Sequence, residues 1–351
     1  MSSNGNAAHS LQDTVINNNW LVKAKIERDV NQSGSNFSVG YIVEREKKDY
    51  FLKAFDLAGF MAISDENTNI MTVLNKMTNA YLYEKELSKH CQEKHVTKVS
   101  FVIEDGVEIV NGYTLGTVPY LIFELANGDI RKTVDFSNGL SYIWRLKSLH
   151  DIATGLKQLH TINVSHQDLK PSNILVFDST SKICDLGRSV CSDINGPYNG
   201  LAFTGDHNYS PPEIWYRFYE PDWKKRSYAI DCYMLGSLVV FYFSGVSMSA
   251  LLTKHIPTNF RAENWNGAYS DITPYLENAF AMALKEFSSN IKEEKLQSEL
   301  SILVEHLCNP FPEKRGHPKN ISSKGNNYEM ERFISKLNIL RYKAETNFNG
   351  S

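Results

Sequence analysis

The chain has 351 residues, of which 42% are hydrophobic and 22% charged, with a formal charge of −3 at neutral pH. It exceeds a single domain of ~100–200 residues and has an ordinary globular composition, so a substantial core divided between two lobes is expected. A near-neutral balance without any basic block argues against nucleic acid or an anionic membrane surface as a partner.

Residues 1–19 are polar and rich in Asn and Ser, and they lack the apolar core of a signal peptide. A flexible, frayed N-terminal segment is expected there. From 20 to 126 the apolar and β-branched runs 20–26, 37–43, 50–55, 99–103 and 118–125 read as strands. One helix lies among them and ends in 80–91, where Tyr83, Leu87 and Cys91 fall four apart on one face. Lys53 stands inside the apolar strand 50–55, where a bare ammonium is costly unless paired. A strand lysine snorkelling to water is the plainer reading. Glu84 and Glu86 are both candidate partners, and Glu84 is preferred because it shares the helix face of Leu87 and Cys91.

After Ala126–Asn127, read as a hinge, the pattern turns helical over 127–320. Tyr142, Leu146, Leu149, Ile152, Leu156 and Leu159 form a helical stripe. The loop His166-Gln167-Asp168-Leu169-Lys170-Pro171-Ser172-Asn173 follows, just before the apolar strand 174–177. Asp168 can accept a proton from a hydroxyl, Lys170 can neutralise phosphate charge, and Asn173 offers an amide oxygen to a cation. Each alone could be an ordinary polar turn residue. A second short strand, 181–184, runs into Asp185-Leu186-Gly187. The longest apolar stretch, 233–246, is too short to cross a bilayer of roughly 20 residues and reads as a buried helix. In 321–351 a C-terminal helix and tail are expected; Met330, Phe333, Leu337 and Leu340 lie at helical spacing, packed on the large lobe or against a partner. The five cysteines show no C-x-x-C spacing and read as reduced thiols of a cytoplasmic protein.

Taken together, the ordered motifs resemble the eukaryotic-like (Hanks-type) serine/threonine protein kinases, of bacterial type, over residues 20–320. The loop 166–173 is similar to H-R-D-L-x-x-x-N, and Asp185-Leu186-Gly187 to D-F-G. Ser210-Pro211-Pro212-Glu213 is similar to the end of an activation segment. The resemblance implies an α+β fold with a small β-rich N-lobe bearing one long helix and a larger, mostly helical C-lobe. It implies transfer of the ATP γ-phosphate to a protein Ser or Thr hydroxyl with Mg²⁺, Lys170 favouring that class over tyrosine kinases.

On that resemblance, Asp168 and Lys170 are catalytic, and Asn173 and Asp185 hold metal. Lys53 and Glu84 serve ATP, together with Phe51, Gly40, Glu124, Ala126, Leu175 and the phosphate-loop positions Ser33, Ser35, Phe37 and Ser38. His166, Gly187, Glu213, Asp231 and Arg315 are structural, Glu213 being expected against Arg315. Several positions depart from the family. All three phosphate-loop glycines read as serine when aligned on Phe37, which favours a pseudokinase, a non-catalytic scaffold, as the alternative. Gly40 and Phe51 replace a Val and an Ala over the adenine, Gln167 replaces an Arg, and Asp206 replaces the Thr after Gly205.

Overall fold

The computed structural model describes residues 6–27, 38–63, 69–134, 142–323 and 325–348. The chain divides into two compact units. The first comprises Met1–His95, Ser100–Asn127 and Ile194–Pro197, and the second Val96–Val99, Gly128–Asp193 and Tyr198–Ser351.

The first unit is built on a six-stranded antiparallel sheet. Its strands are β1 (Val15–Ile16), β2 (Trp20–Lys25), β3 (Ser38–Arg45), β4 (Lys48–Phe55), β5 (Val102–Ile109) and β6 (Thr117–Glu124), in the order β1-β2-β3-β4-β6-β5. Strand alternation sorts β4 between two faces. Leu52 and Ala54 point into a core with Tyr41, Val43, Val118, Tyr120 and Ile122. Lys53 and Phe55 point the other way, where Phe55 packs with Leu121, Met77 and Tyr81. Met77 and Tyr81 belong to helix α2 (Ile70–Glu93), which follows the short α1 (Leu57–Ile63). The inward stripe of α2 includes Val73, Met77, Tyr81, Glu84, Leu87, Ser88 and Cys91, while Glu86 faces solvent.

The N-terminal segment corrects the expectation of fraying. Over 6–19 it forms a 3₁₀ turn (Ala7–His9) and β1, and Ala7, Ala8, Leu11 and Ile16 are buried in the core of the sheet. Tyr41 Oη donates to the Ala8 carbonyl at 2.7 Å, and Asn6 and His9 both reach the Asp56 carboxylate. Four small or apolar side chains, spread without a helical or strand period, are enough to staple a polar segment once a sheet face is left to cover.

The second unit is mostly helical. Its strands are β7 (Gly128–Asp129), β8 (Val164–Ser165), β9 (Ile174–Phe177), β10 (Thr180–Ile183) and β11 (Val190–Cys191), arranged as β10-β9-β7 and β11-β8. These short ladders fix the ends of the polar loops. The helices are α3 (Ile130–Thr133), α4 (Tyr142–Thr161), α5 (Pro212–Trp215), α6 (Trp223–Ser244), α7 (Met248–His255), α8 (Tyr269–Ser289), α9 (Glu294–Cys308), α10 (Pro318–Ser322) and α11 (Glu331–Phe348). The apolar helix α6 is buried nearly all round, so it acts as the core axis. Met330, Phe333, Leu337 and Leu340 are buried on this unit, where α11 packs along α4. The fold is therefore α+β, a β-rich unit with one long helix and a mostly helical unit.

Candidate active site

In the first unit, strand period and helix period converge on one ion pair. Lys53 Nζ lies 2.9 Å from both carboxylate oxygens of Glu84. The two side chains are only 12% and 4% exposed. A half-sequestered ammonium without an acceptor is costly, and the bidentate carboxylate removes that cost. Of the two candidate helix acids, Glu84 makes the pair and Glu86 lies on the outer face.

The sheet around Lys53 is aromatic. Its cross-strand neighbours are Gly40 on β3 and Leu121 on β6, and Phe51 stands opposite Ile42 and Phe123. Phe51 and Phe123 have ring centroids 6.2 Å apart. A Cβ built on Gly40 would meet the Phe51 ring at 2.9 Å, so the ring occupies the space that a side chain at 40 would take. Ser38 opens β3 and is buried, Glu124 closes β6 opposite Tyr50, and Ala126 follows in half-buried irregular chain. Ser33, Ser35 and Phe37 lie outside the described residues.

In the second unit the loop 166–173 hangs from a buried carboxylate. Asp231, on α6, accepts from the backbone N–H groups of His166 and Gln167, each at 2.9 Å, and from Ser165 Oγ at 2.8 Å. His160 Nε2 is 2.8 Å away. Burial pushes the Asp231 carboxyl up, but His160 and these donors outweigh it and hold the group below the usual carboxylate range. His160 and Ser165 were not singled out from sequence, since their partner lies far along the chain and only folding brings them together. His166 also bonds the Cys184 carbonyl at 3.0 Å, joining the loop to the turn at Asp185.

That scaffold presents Asp168. Its Oδ1 accepts the Asp206 N–H at 2.8 Å, and its Oδ2 accepts Asn173 Nδ2 at 3.0 Å and Lys170 Nζ at 3.1 Å. Lys170 also reaches Asp206 at 3.3 Å. Burial alone would push the Lys170 ammonium down, but the charges of Asp168 and Asp206 raise it above the ordinary lysine value. Asp168 is thereby aimed by two neutral donors and one cation, and it is 5% exposed.

Asn173 and Asp185 form the candidate metal pair. Asn173 Nδ2 is committed to Asp168, donating also to its carbonyl at 2.8 Å, and Oδ1 is the acceptor side of the amide, taking Ser172 Oγ at 3.3 Å. The Cys184 N–H donates to the Asn173 carbonyl at 2.9 Å, so Asn173 and the residue before Asp185 are fixed in register. Asp185 adopts a left-handed conformation, φ 62°, and starts the 3₁₀ turn Leu186–Arg188, with Leu186 buried beneath. Among the described residues no cluster of three or more His, Cys, Asp or Glu side chains could hold a metal by itself. An amide oxygen plus one carboxylate suits instead a hard cation that arrives with phosphate oxygens as its other ligands.

Of the remaining predicted positions, Glu213 and Arg315 come together in the interior. Arg315, fully buried, donates to both oxygens of Glu213 at 2.7 and 2.9 Å, and to the carbonyls of Ala229 and Asn309. Burial disfavours its charge, yet the Glu213 carboxylate holds the guanidinium well above its ordinary value. Gly187 is the middle residue of the 3₁₀ turn after Asp185. Leu175, half-buried on β9, faces away from buried Ile174 and Val176.

Comparison with known proteins accords with this geometry. Residues 66–324, well over half of the chain, match the family model described as protein kinase domain. Mitogen-activated protein kinase 15 of Oryza sativa subsp. japonica is 28% identical over 198 residues, covering 56% of this chain and 36% of that protein. Extracellular signal-regulated kinase 1 of Dictyostelium discoideum is 27% identical over 164 residues, 46% of this chain and 29% of that protein. A probable serine/threonine-protein kinase of Encephalitozoon cuniculi is 38% identical over 97 residues, 28% of this chain and 16% of that protein. The matched regions span about a third or less of the length of these relatives. All three are eukaryotic, so the expected bacterial type has no support.

Proposed function

The chain belongs to the protein kinase domain family, and on that premise we propose that it transfers the γ-phosphate of ATP to a serine or threonine hydroxyl of a protein substrate. The observation that carries this reading is the Asp168 constellation. A carboxylate held by Asn173, Lys170 and the Asp206 N–H is fixed in direction and placed to accept a hydroxyl proton.

In the proposed step the substrate oxygen bonds to the γ-phosphorus, the bond from phosphorus to the ADP oxygen breaks, and the hydroxyl proton passes to Asp168. Lys170 steadies the negative charge on the transferred group. Lys53, braced by Glu84, holds the α- and β-phosphates. Asn173 and Asp185 would hold Mg²⁺ through Oδ1 and the carboxylate, and the ion would supply neutralisation of phosphate charge. Little covalent work falls to the protein; its share is placement and preorganised charge. The presence of Lys53, Asp168, Asn173 and Asp185 supports an active enzyme, whatever the serines of the phosphate loop do to its nucleotide affinity.

The test is incubation with γ-labelled ATP, Mg²⁺ and a general protein acceptor, with Asp168→Ala as control. Labelled phosphoserine or phosphothreonine in the wild type alone is expected. ATP binding without transfer under any acceptor would assign the chain to the non-catalytic scaffolds instead.

A further inference from the structure

The segment 185–213 meets the loop 166–173 through hydrogen bonds and close backbone approach. Gln167, 2% exposed, is turned inward: its Nε2 donates to Ser165 Oγ at 2.8 Å and to the Ser227 carbonyl at 3.2 Å. It is neutral, so the loop offers no fixed cation at that position to attract an anion. The segment is nevertheless fastened to the second unit at several points. Strand β11 pairs with β8, Ser189 Oγ donates to the His166 carbonyl, and the Ser192 N–H donates to the Asn163 carbonyl. At Gly205 the backbones approach so closely that a Cβ would lie 2.1 Å from the Gln167 carbonyl oxygen.

The last of these fastenings is chemical as well as steric. Asp206 gives its N–H to Asp168 Oδ1 at 2.8 Å and sets its Oδ2 3.3 Å from Lys170 Nζ. Its other oxygen accepts the Asn208 N–H at 3.0 Å and caps the turn His207–Tyr209. One residue thus orients the proposed base, shares the proposed phosphate-steadying ammonium, and locks its own segment. A hydroxyl in its place could still accept from Lys170 or Asn208 but could not supply the charge that Lys170 faces on its second side.

We propose that Asp206 is a positioning residue that aims Asp168 and Lys170 and anchors the segment 185–213 without any phosphorylation. The proposal rests on the kinase reading above. Lys170, caught between two carboxylates, keeps its place when no nucleotide is bound, and the segment is ordered as synthesised.

Three measurements test it. Asp206→Asn keeps the shape, the N–H and the Asn208 cap but removes the charge; its kcat is expected to fall at least fivefold with KM for ATP changed less than threefold. A smaller fall in kcat overturns the proposal. Acetic anhydride labelling of Lys170, read by peptide mass spectrometry, is expected to rise at least threefold in Asp206→Asn, and unchanged labelling overturns it. Wild-type protein stripped with a phosphatase is expected to keep its activity, whereas a tenfold loss overturns it. Should Asp206→Asn not fold, the phosphatase experiment still decides. If the wild type transfers no phosphate at all, the kinase reading fails, while the labelling still judges the role of Asp206.

Discussion

Lys53 on β4 and Glu84 on α2 face each other with both carboxylate oxygens 2.9 Å from the ammonium. The pair ties the sheet of the first unit to its one long helix, and it selects between two acids only two residues apart. Glu84→Gln is expected to lower kcat/KM by about a hundredfold or more, about 2.7 kcal/mol at the transition state. Glu86→Gln, on the exposed face, is expected to stay within about twofold of wild type. Lys53→Ala should also lose the thermal stabilisation that ATP gives the wild type, which a melting titration reads. Equal losses for Glu84→Gln and Glu86→Gln would sever the link between this ion pair and catalysis.

Asp168→Asn preserves volume but removes the acceptor of the proton. Its neighbours Asn173 and Lys170 retain partners for their donors, so the melting temperature should hardly move. The expected loss in kcat is about a hundredfold to ten-thousandfold, the usual range for a positioned acid or base. Asp185→Ala is expected to abolish the Mg²⁺ dependence of nucleotide binding while ATP alone still binds weakly. Full activity in Asp168→Asn would remove the foundation of the proposed function.

The Glu213–Arg315 pair makes a contrasting prediction, because it is buried and touches no proposed substrate. Removing one partner strands a charge in the interior. Arg315→Ala is expected to cost about 3–5 kcal/mol in unfolding free energy. Arg315→Met combined with Glu213→Leu should recover most of that stability, since both charges leave together. Chemical denaturation of the single and double variants measures it; a double variant no better than the worse single one would mean that the pair is needed for more than neutralisation.

How much of this could be read from sequence depends on how local each signal is. The loop 166–173 was legible because its chemistry sits in eight consecutive residues. Glu84 was legible because the helical period sorted it onto the face of Leu87 and Cys91. His160 and Ser165 were not, because their meaning lies in a shared acceptor, Asp231, on a distant helix. The placement of Ile194–Pro197 with the first unit, Gly196 packing on the Tyr83 ring, likewise has no local mark. The N-terminal segment was misread because Asn and Ser dominate its composition while only a few apolar side chains decide its place.

Those few side chains can be tested directly. Leu11 and Ile16 are fully buried with Trp20, Tyr41 and Val43 in the sheet core. Leu11→Ala is expected to cost about 2–5 kcal/mol, the range for buried Leu truncations. Deleting residues 1–16 should lower the melting temperature further, since it uncovers the face of Tyr41 and also removes Asn6 and His9 from Asp56. An N-terminal deletion that melts like the full chain would restore the frayed segment expected from composition.

The last prediction concerns the exchange of bulk between Gly40 and Phe51. The two lie on the same face of neighbouring strands as Lys53, with the edge of the Phe51 ring where a side chain at 40 would sit. A residue with a Cβ at 40 must displace that ring. Because the obstacle is the far end of a side chain and not backbone, Gly40→Ala is expected to be mild, whereas the branched Gly40→Val overpacks by about 1–3 kcal/mol. Phe51→Ala should relieve the clash, so the double variant Gly40→Val, Phe51→Ala should be more stable than Gly40→Val alone. The family resemblance places these two positions over the adenine, where an aromatic ring can stack on the base. Phe51→Ala is therefore expected to weaken ATP binding, and the double variant, which restores a branched side chain to the same space, to recover part of it. Calorimetric titration of the three variants separates the possibilities. Tighter ATP binding by Phe51→Ala would mean that the ring blocks the nucleotide instead of packing on it, and the non-catalytic reading would gain from that result.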